Sequence, residues 1–173
     1  MITFIRTISR QRPAWGLLAA SVFIFELCGL FFQYVMGLQP CVMCVYERLA
    51  FIGILVAALL ALVSPQRSWL RWSALLLWAY SAFRGLQLSL KHVDYQLNPS
   101  PFNTCSFFAE FPGWLPLDKW IPWLFNPTGD CSERQWSFLG WEMPQWLVLI
   151  FACYLAVSVV IMLGNLAKGR CCQ

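Results

Sequence analysis

Sulfur supplies most of the reactive side chains in this sequence, with eight cysteines against a single histidine, His92. Two of the cysteines form the stretch Cys41-Val42-Met43-Cys44, directly after Pro40 and at the start of a long apolar run. Proline is accepted in the first turn of a helix, where its missing N–H costs nothing. Pro40 is therefore expected there, with Cys41 and Cys44 in or just before the opening turn. The unpaired N–H groups and the positive end of the helix dipole favour a thiolate at such a place. Three-residue spacing also lets the two sulfurs meet as a disulfide, so the pair points to thiol–disulfide exchange. A C-x-x-C pair can instead be half of a structural zinc site, which needs four closed ligands. No second C-x-x-C exists, so such a site would have to recruit Cys105 and Cys131, and no metal site is expected.

Arg48 lies four residues beyond Cys44, on the same helical face one turn deeper. A permanent charge at that depth is costly in lipid without a task. It is suited to stabilising a thiolate or the anionic form of a reduced acceptor; the alternative is that it pairs with Glu26 or Glu47, or snorkels to the interface. His92 and Arg84 fall near the outer end of a later apolar run, at the depth of Cys44 and Arg48 if the two runs are antiparallel neighbours. A polar pocket there is expected, against the plainer reading of His92 as a satisfied interfacial residue. Cys105 and Cys131 are the remaining cysteines on the outer face, where two thiols pair as a disulfide. A structural staple is the ordinary reading. Prolines and glycines around them (Pro99, Pro101, Pro112, Pro116, Pro127, Gly129) suggest instead an exposed, irregular loop, and exposed disulfides are the labile ones. Both readings stay open on sequence alone.

The elements that must hold these residues follow from composition. The 173 residues are 60% hydrophobic and 12% charged, against about 45–50% and 25% for an average soluble domain; a soluble fold of this size cannot hide that much apolar surface. The net charge of +4 is modest, and the basic residues form no patch suited to nucleic acid. A hydrocarbon core about 30 Å thick needs about 20 apolar residues per helix. Four stretches qualify, roughly 14–34, 42–63, 70–90 and 145–166, predicting one all-α membrane domain over 1–173. Arg6, Arg10 and Arg12 before the first run, Arg67 and Arg71 flanking the second turn at 64–68, and Lys168 and Arg170 after the last run belong inside by the positive-inside rule. The first turn at 37–40 and the long 91–144 loop, which holds six of the eight acids, then lie outside, and both termini inside. The basic start followed by Leu17 to Phe25 also has the look of a signal peptide, but Glu26 interrupts it and the apolar run resumes, so a retained helix is expected. Within the loop, residues 111–125 carry Trp114, Trp120 and Trp123, which suit the membrane–water boundary. Cys28, Cys153, Cys171 and Cys172 are expected to be inert.

The chain resembles the quinone-dependent disulfide bond formation protein B (DsbB) family of bacterial inner membranes. The residues that carry this are Gln39-Pro-Cys-Val-Met-Cys-Val-Tyr-Glu-Arg48, Tyr80-Ser-Ala-Phe-Arg-Gly85, Pro99-Ser-Pro-Phe-Asn-Thr-Cys105, Leu115-Pro-Leu-Asp-Lys-Trp120 and Gly129-Asp-Cys-Ser-Glu-Arg-Gln-Trp136. The resemblance implies an oxidoreductase whose four working cysteines are Cys41, Cys44, Cys105 and Cys131. A periplasmic DsbA-like protein of thioredoxin fold would attack the loop disulfide, form a mixed disulfide with Cys105 and displace Cys131. Electrons would pass to Cys41 and Cys44, and from Cys44 to a quinone (ubiquinone or menaquinone) of the membrane pool, with Arg48 and His92 in the quinone pocket. The Cys171-Cys172 end lies outside the resemblance. The competing reading is a membrane metal-binding or assembly factor with a structural loop disulfide.

Overall fold

A computed structural model describes residues 2–98, 105–106, 109–111, 113 and 116–167. Lys168, Arg170, Cys171, Cys172, Trp114, Leu115, Pro112 and the 99–104 part of the loop motif lie outside the described residues. In chain order the helices are α1 (Ile2–Ser9), α2 (Arg12–Tyr34), α3 (Val42–Val63), α4 (Ser68–Leu97), α5 (Leu117–Trp120) and α6 (Pro122–Phe125). A small hairpin of β1 (Ser137–Phe138) and β2 (Trp141–Glu142) then leads into α7 (Met143–Leu166).

The protein is a helical membrane protein. Among the described residues, α2, α3 and α7 are each long and apolar enough to cross a membrane. Helix α4 has 30 residues, about 45 Å at the α-helical rise, but Arg71, Arg84, Lys91 and Asp94 interrupt its apolar character. It nevertheless forms the middle of the bundle: α2 packs on α3, α3 on α4, and α4 on α7. Short connections between α2 and α3 and between α3 and α4 suit antiparallel neighbours.

Small residues let these helices approach, the usual device where lipid removes the hydrophobic drive between helices. Ala57, Ala58 and Ala61 of α3 and Ala74 and Ala82 of α4 are fully buried. At Gly85 a β-carbon would lie 2.3 Å from the Phe151 ring, so only glycine admits that ring, which in turn stacks on Phe51 at 4.4 Å. Phe25 also stacks on Phe51, at 5.7 Å, and the Tyr154 hydroxyl meets Ser21 Oγ at 2.9 Å. Arg6 of α1 donates to the carbonyls of Gly164, Asn165 and Ala167, satisfying the last turn of α7.

Several expectations shift. Helix α4 runs seven residues past the expected end at 90, because nothing breaks the pattern before the proline at 99. His92 is therefore a helical residue. Helix α7 starts at Met143, where Glu142 and Gln145 close a capping box and Pro144 occupies the first turn. The 91–144 stretch is consequently shorter as a loop and holds two single-turn helices and the hairpin, a minor departure from an all-α fold.

Candidate redox site

Cys41 does not sit inside the first turn of α3. It is the N-cap, in extended conformation, and its sulfur accepts from the Cys44 N–H at 3.4 Å. Pro40 stands before the cap and outside the helix, contrary to expectation. The proline's work lies elsewhere: its carbonyl accepts from Thr128 N at 2.9 Å and Gly129 N at 3.1 Å. A sulfur at the N-cap meets the unpaired N–H end of the helix, as the sequence predicts. The two thiol sulfurs lie 3.0 Å apart, one helical turn bringing residues 41 and 44 to the same side.

Cys44, Glu47, Arg48 and Phe51 follow the i, i+3, i+4, i+7 rule and line one cavity of about 350 Å³. Phe25, Phe32 and Ile150 give it apolar walls, and Trp136 closes it from the loop side. Inside it, Glu47 and His92 are almost fully buried. His92 Nδ1 meets the Glu47 carboxylate at 3.1 Å while its Nε2 lies 3.5 Å from Cys41 Sγ. Arg48 donates from one terminal nitrogen to Gln33 Oε1 at 3.0 Å and to the Leu124 carbonyl at 2.8 Å. Its Nε lies 3.6 Å from Glu26. Of the partners foreseen for Arg48, Glu26 is the one it has; Glu47 belongs to His92.

Cys105 and Cys131 form a disulfide. It is not exposed: the two residues show only 7% and 1% of their surface and pack with Cys41, Met43 and Tyr95 into one cluster. The expectation of an exposed loop disulfide is thus corrected, and the reason is a set of long-range ties. A β-carbon on Gly129 would lie 2.4 Å from the Gln39 carbonyl, so glycine lets 128–129 seat against 39–40. Arg134 donates to Gln96 O at 3.3 Å and Gln96 to Glu133 O at 3.3 Å. The Glu110 N–H donates to the Tyr46 hydroxyl at 2.7 Å. Both cysteine pairs therefore share one compact place at the mouth of α3.

A model of the family described as "Disulfide bond formation protein DsbB" matches residues 11–161. Proteins named "Disulfide bond formation protein B" from Aeromonas salmonicida and Aeromonas hydrophila are 69% and 64% identical over all 173 residues, covering the whole of each chain. One from Yersinia pestis is 55% identical over 170 residues, 98% of this chain and 96% of its own. The chain belongs to the DsbB family. A disulfide-forming oxidoreductase of the membrane is the role this supports, and a metal-binding or assembly factor is not favoured.

In this DsbB-family chain the sequence-selected residues Cys41, Cys44, Arg48 and His92 all line the cavity, and Cys105 and Cys131 pack beside Cys41. Arg84 is not among them: it is exposed and donates to Gln87 Oε1 at 3.0 Å. Cys28, expected to be inert, is an exposed free thiol on the cavity wall. Cys153 is exposed on α7. Three contributors were missed as site residues. Glu26 and Glu47 carried a signal, since carboxylates inside apolar helices mark function. Gln33 carried none.

Proposed function

We propose that this chain is a protein-dithiol:quinone oxidoreductase that reoxidises a periplasmic DsbA-like protein and passes the electrons to membrane quinone, supporting disulfide bond formation. The observation that carries the reading is the shared mouth of α3. There Cys41 packs in one cluster with the loop disulfide, while Cys44 lines an apolar cavity together with Arg48. One single domain over 1–173 spans a bacterial inner membrane four times, α4 included, with both termini cytoplasmic and the two redox loops periplasmic. The basic residues at the opposite end, Arg67 and Arg71 beside the α3–α4 turn, support this orientation.

The cavity suits a quinone. Its walls are mainly aromatic and aliphatic, and Glu26 Oε1 is buried there without a hydrogen-bond partner, an acceptor awaiting a donor such as a quinol hydroxyl. Cys44, Arg48 and His92 are the residues that would hold the ring. When bound, the quinone takes up two electrons and two protons and leaves as quinol.

The rest is sulfur chemistry. A partner thiolate attacks Cys105, the Cys105–Cys131 bond breaks, and Cys131 leaves as a thiolate. The partner's second thiolate resolves the mixed disulfide, so the partner departs oxidised and the loop pair holds the two electrons. Exchange between the loop pair and Cys41 moves them to the Cys41–Cys44 pair, where contact in one cluster removes the need for a large displacement. His92, oriented by Glu47, accepts the proton of the Cys41 thiol at Nε2, which keeps the outer sulfur nucleophilic. Arg48 holds a fixed positive charge beside Cys44 and favours its thiolate. Oxidation of the pair back to a disulfide releases the two electrons and two protons that the acceptor takes. Replacing Cys44 by serine is expected to abolish quinol production by the reduced partner protein in proteoliposomes; turnover at the wild-type rate would rule this assignment out.

A further inference from the structure

We propose that the reduced Cys41–Cys44 pair and His92 form a binding site for a thiophilic divalent metal of the zinc class, which arrests the enzyme by capturing its dithiol state. The inference rests on the reading of Cys41 and Cys44 as a redox pair, and it departs from the expectation of no metal site.

The three donor atoms lie within 4.8 Å of one another. Zinc–sulfur and zinc–nitrogen bonds of about 2.3 and 2.0 Å in a tetrahedron separate ligand atoms by roughly 3.5–3.8 Å. Cys41 Sγ and His92 Nε2, at 3.5 Å, already hold that spacing. The two sulfurs, at 3.0 Å, need to open by less than about 1 Å, a side-chain adjustment at the first turn of a helix. The other side of His92 completes the design. Glu47 takes Nδ1 at 3.1 Å, the carboxylate–histidine–metal arrangement that fixes the tautomer and turns the Nε2 lone pair toward the metal. Glu47 and His92 are 2% and 3% exposed, so the pair is held together inside the protein. Three protein ligands with a fourth position open to the cavity beside Cys44 is the pattern of an exchangeable zinc site, in contrast to a closed structural one.

The chemistry is gated by oxidation state. Binding to the dithiol forms two metal–sulfur bonds and releases the two thiol protons; no electron moves. Two thiolates also neutralise the divalent charge in a place where water is scarce. The disulfide form offers no thiolate and does not bind. Sulfur lone pairs engaged by metal cannot attack an acceptor, so the captured enzyme waits in the reduced state. Inhibition by Zn2+ is accordingly deeper when quinone is scarce and the reduced pair accumulates.

The test uses the full chain with Cys28, Cys105, Cys131, Cys153, Cys171 and Cys172 replaced by serine, reduced with a phosphine and titrated with Co2+. One Co2+ per chain with thiolate-to-cobalt charge-transfer absorption is expected, displaced by Zn2+ and absent after oxidation of the pair. Glu47→Gln is expected to weaken binding about 10- to 100-fold, and His92→Ala at least as much. An absent band in the reduced chain, an equal band in the oxidised chain, or unchanged affinity in His92→Ala overturns the proposal. Should the multiple variant fold poorly, the wild-type chain answers the same question by mass spectrometry: Zn2+ should slow alkylation of Cys41 and Cys44 more than about tenfold, and no slowing overturns it. Quinone reduction by the metal-free wild-type chain is read separately, so loss of the redox reading and loss of the metal site are distinguishable.

Discussion

Glu47 and Arg48 are neighbours in sequence and face different partners, because one residue on a helix turns the side chain by about 100°. Glu47 looks to α4 and binds His92; Arg48 looks to α2 and the loop and binds Glu26, Gln33 and the Leu124 carbonyl. The planar fork of arginine is what lets one side chain serve three acceptors. Arg48→Lys keeps the charge and loses that geometry. A charge-assisted hydrogen bond contributes about 1.5–3 kcal/mol, so the KM for quinone is expected to rise about tenfold or more in steady-state titrations, and an unchanged KM would argue that Arg48 is only a structural tie. Cys28 gives the converse expectation: it lines the cavity but lies outside the relay, so Cys28→Ser should retain most of the quinol-producing rate, and loss of activity would place a fifth sulfur in the path. Much of this was legible from residue type. A charge inside an apolar helix announces itself, as Arg48 and Glu26 do. That His92 would take Glu47 was not legible, since the pairing joins residues 45 positions apart and depends on the rotation of two helices about their axes.

At the scale of elements, the junction of segment 39–40 with segment 128–129 holds the two cysteine pairs together. Both carbonyls of Gln39 and Pro40 are engaged there: one is crowded by Gly129, the other accepts two backbone N–H groups. Gly129→Ala puts a methyl group into the Gln39 carbonyl and strips those hydrogen bonds, each contributing about 0.5–1.5 kcal/mol. The expected result is electron transfer from the loop pair to Cys41–Cys44 slowed about tenfold, with oxidation of the Cys41–Cys44 pair by quinone unchanged. Rapid acid quench followed by thiol alkylation separates the two steps, and equal slowing of both would show that the junction does not act on the relay. In the bundle, Gly85→Val meets the Phe151 ring and is expected to lower stability by about 1–3 kcal/mol, read as a lowered Tm in detergent. The long helices were readable from apolar runs of membrane length, within two residues for α2, α3 and α7, while α4 runs seven residues further. The capping role of Cys41, the displaced Pro40 and the burial of the Cys105–Cys131 disulfide were not, because each is decided by contacts between distant segments. Proline and glycine density around the loop cysteines read as exposure, whereas Gly129 permits close docking against Gln39.

The whole molecule puts sulfur exchange, a polar network and an apolar cavity at one end of a helical bundle and basic residues at the other. Whether α4 crosses the membrane decides how these ends are distributed. By composition α2, α3 and α7 cross readily; α4 carries charges, yet it packs along both α3 and α7 and keeps Arg71 and His92 buried. Four crossings place the chain's two ends on the same side. Single-cysteine variants at Gln66 and Ser132, in a chain whose native cysteines are replaced by serine, are expected to react with a membrane-impermeant maleimide from opposite faces of oriented vesicles. Labelling of both from one face would leave an odd number of crossings between them untenable. The orientation proposed above rests on the distribution of arginines and lysines; the packing order of the helices was not legible, because the apolar faces of membrane helices carry little directional pattern. The central claim, that electrons enter at Cys105–Cys131 and leave through Cys44 to quinone, is tested most directly by acid-quenched thiol trapping of the wild-type chain mixed with its reduced partner protein, with and without quinone. With quinone, both cysteine pairs should pass through the reduced state and return to disulfides as quinol appears; without it, both should remain reduced or bridged to the partner. A Cys41–Cys44 pair whose state never changes while the partner is oxidised would contradict the account.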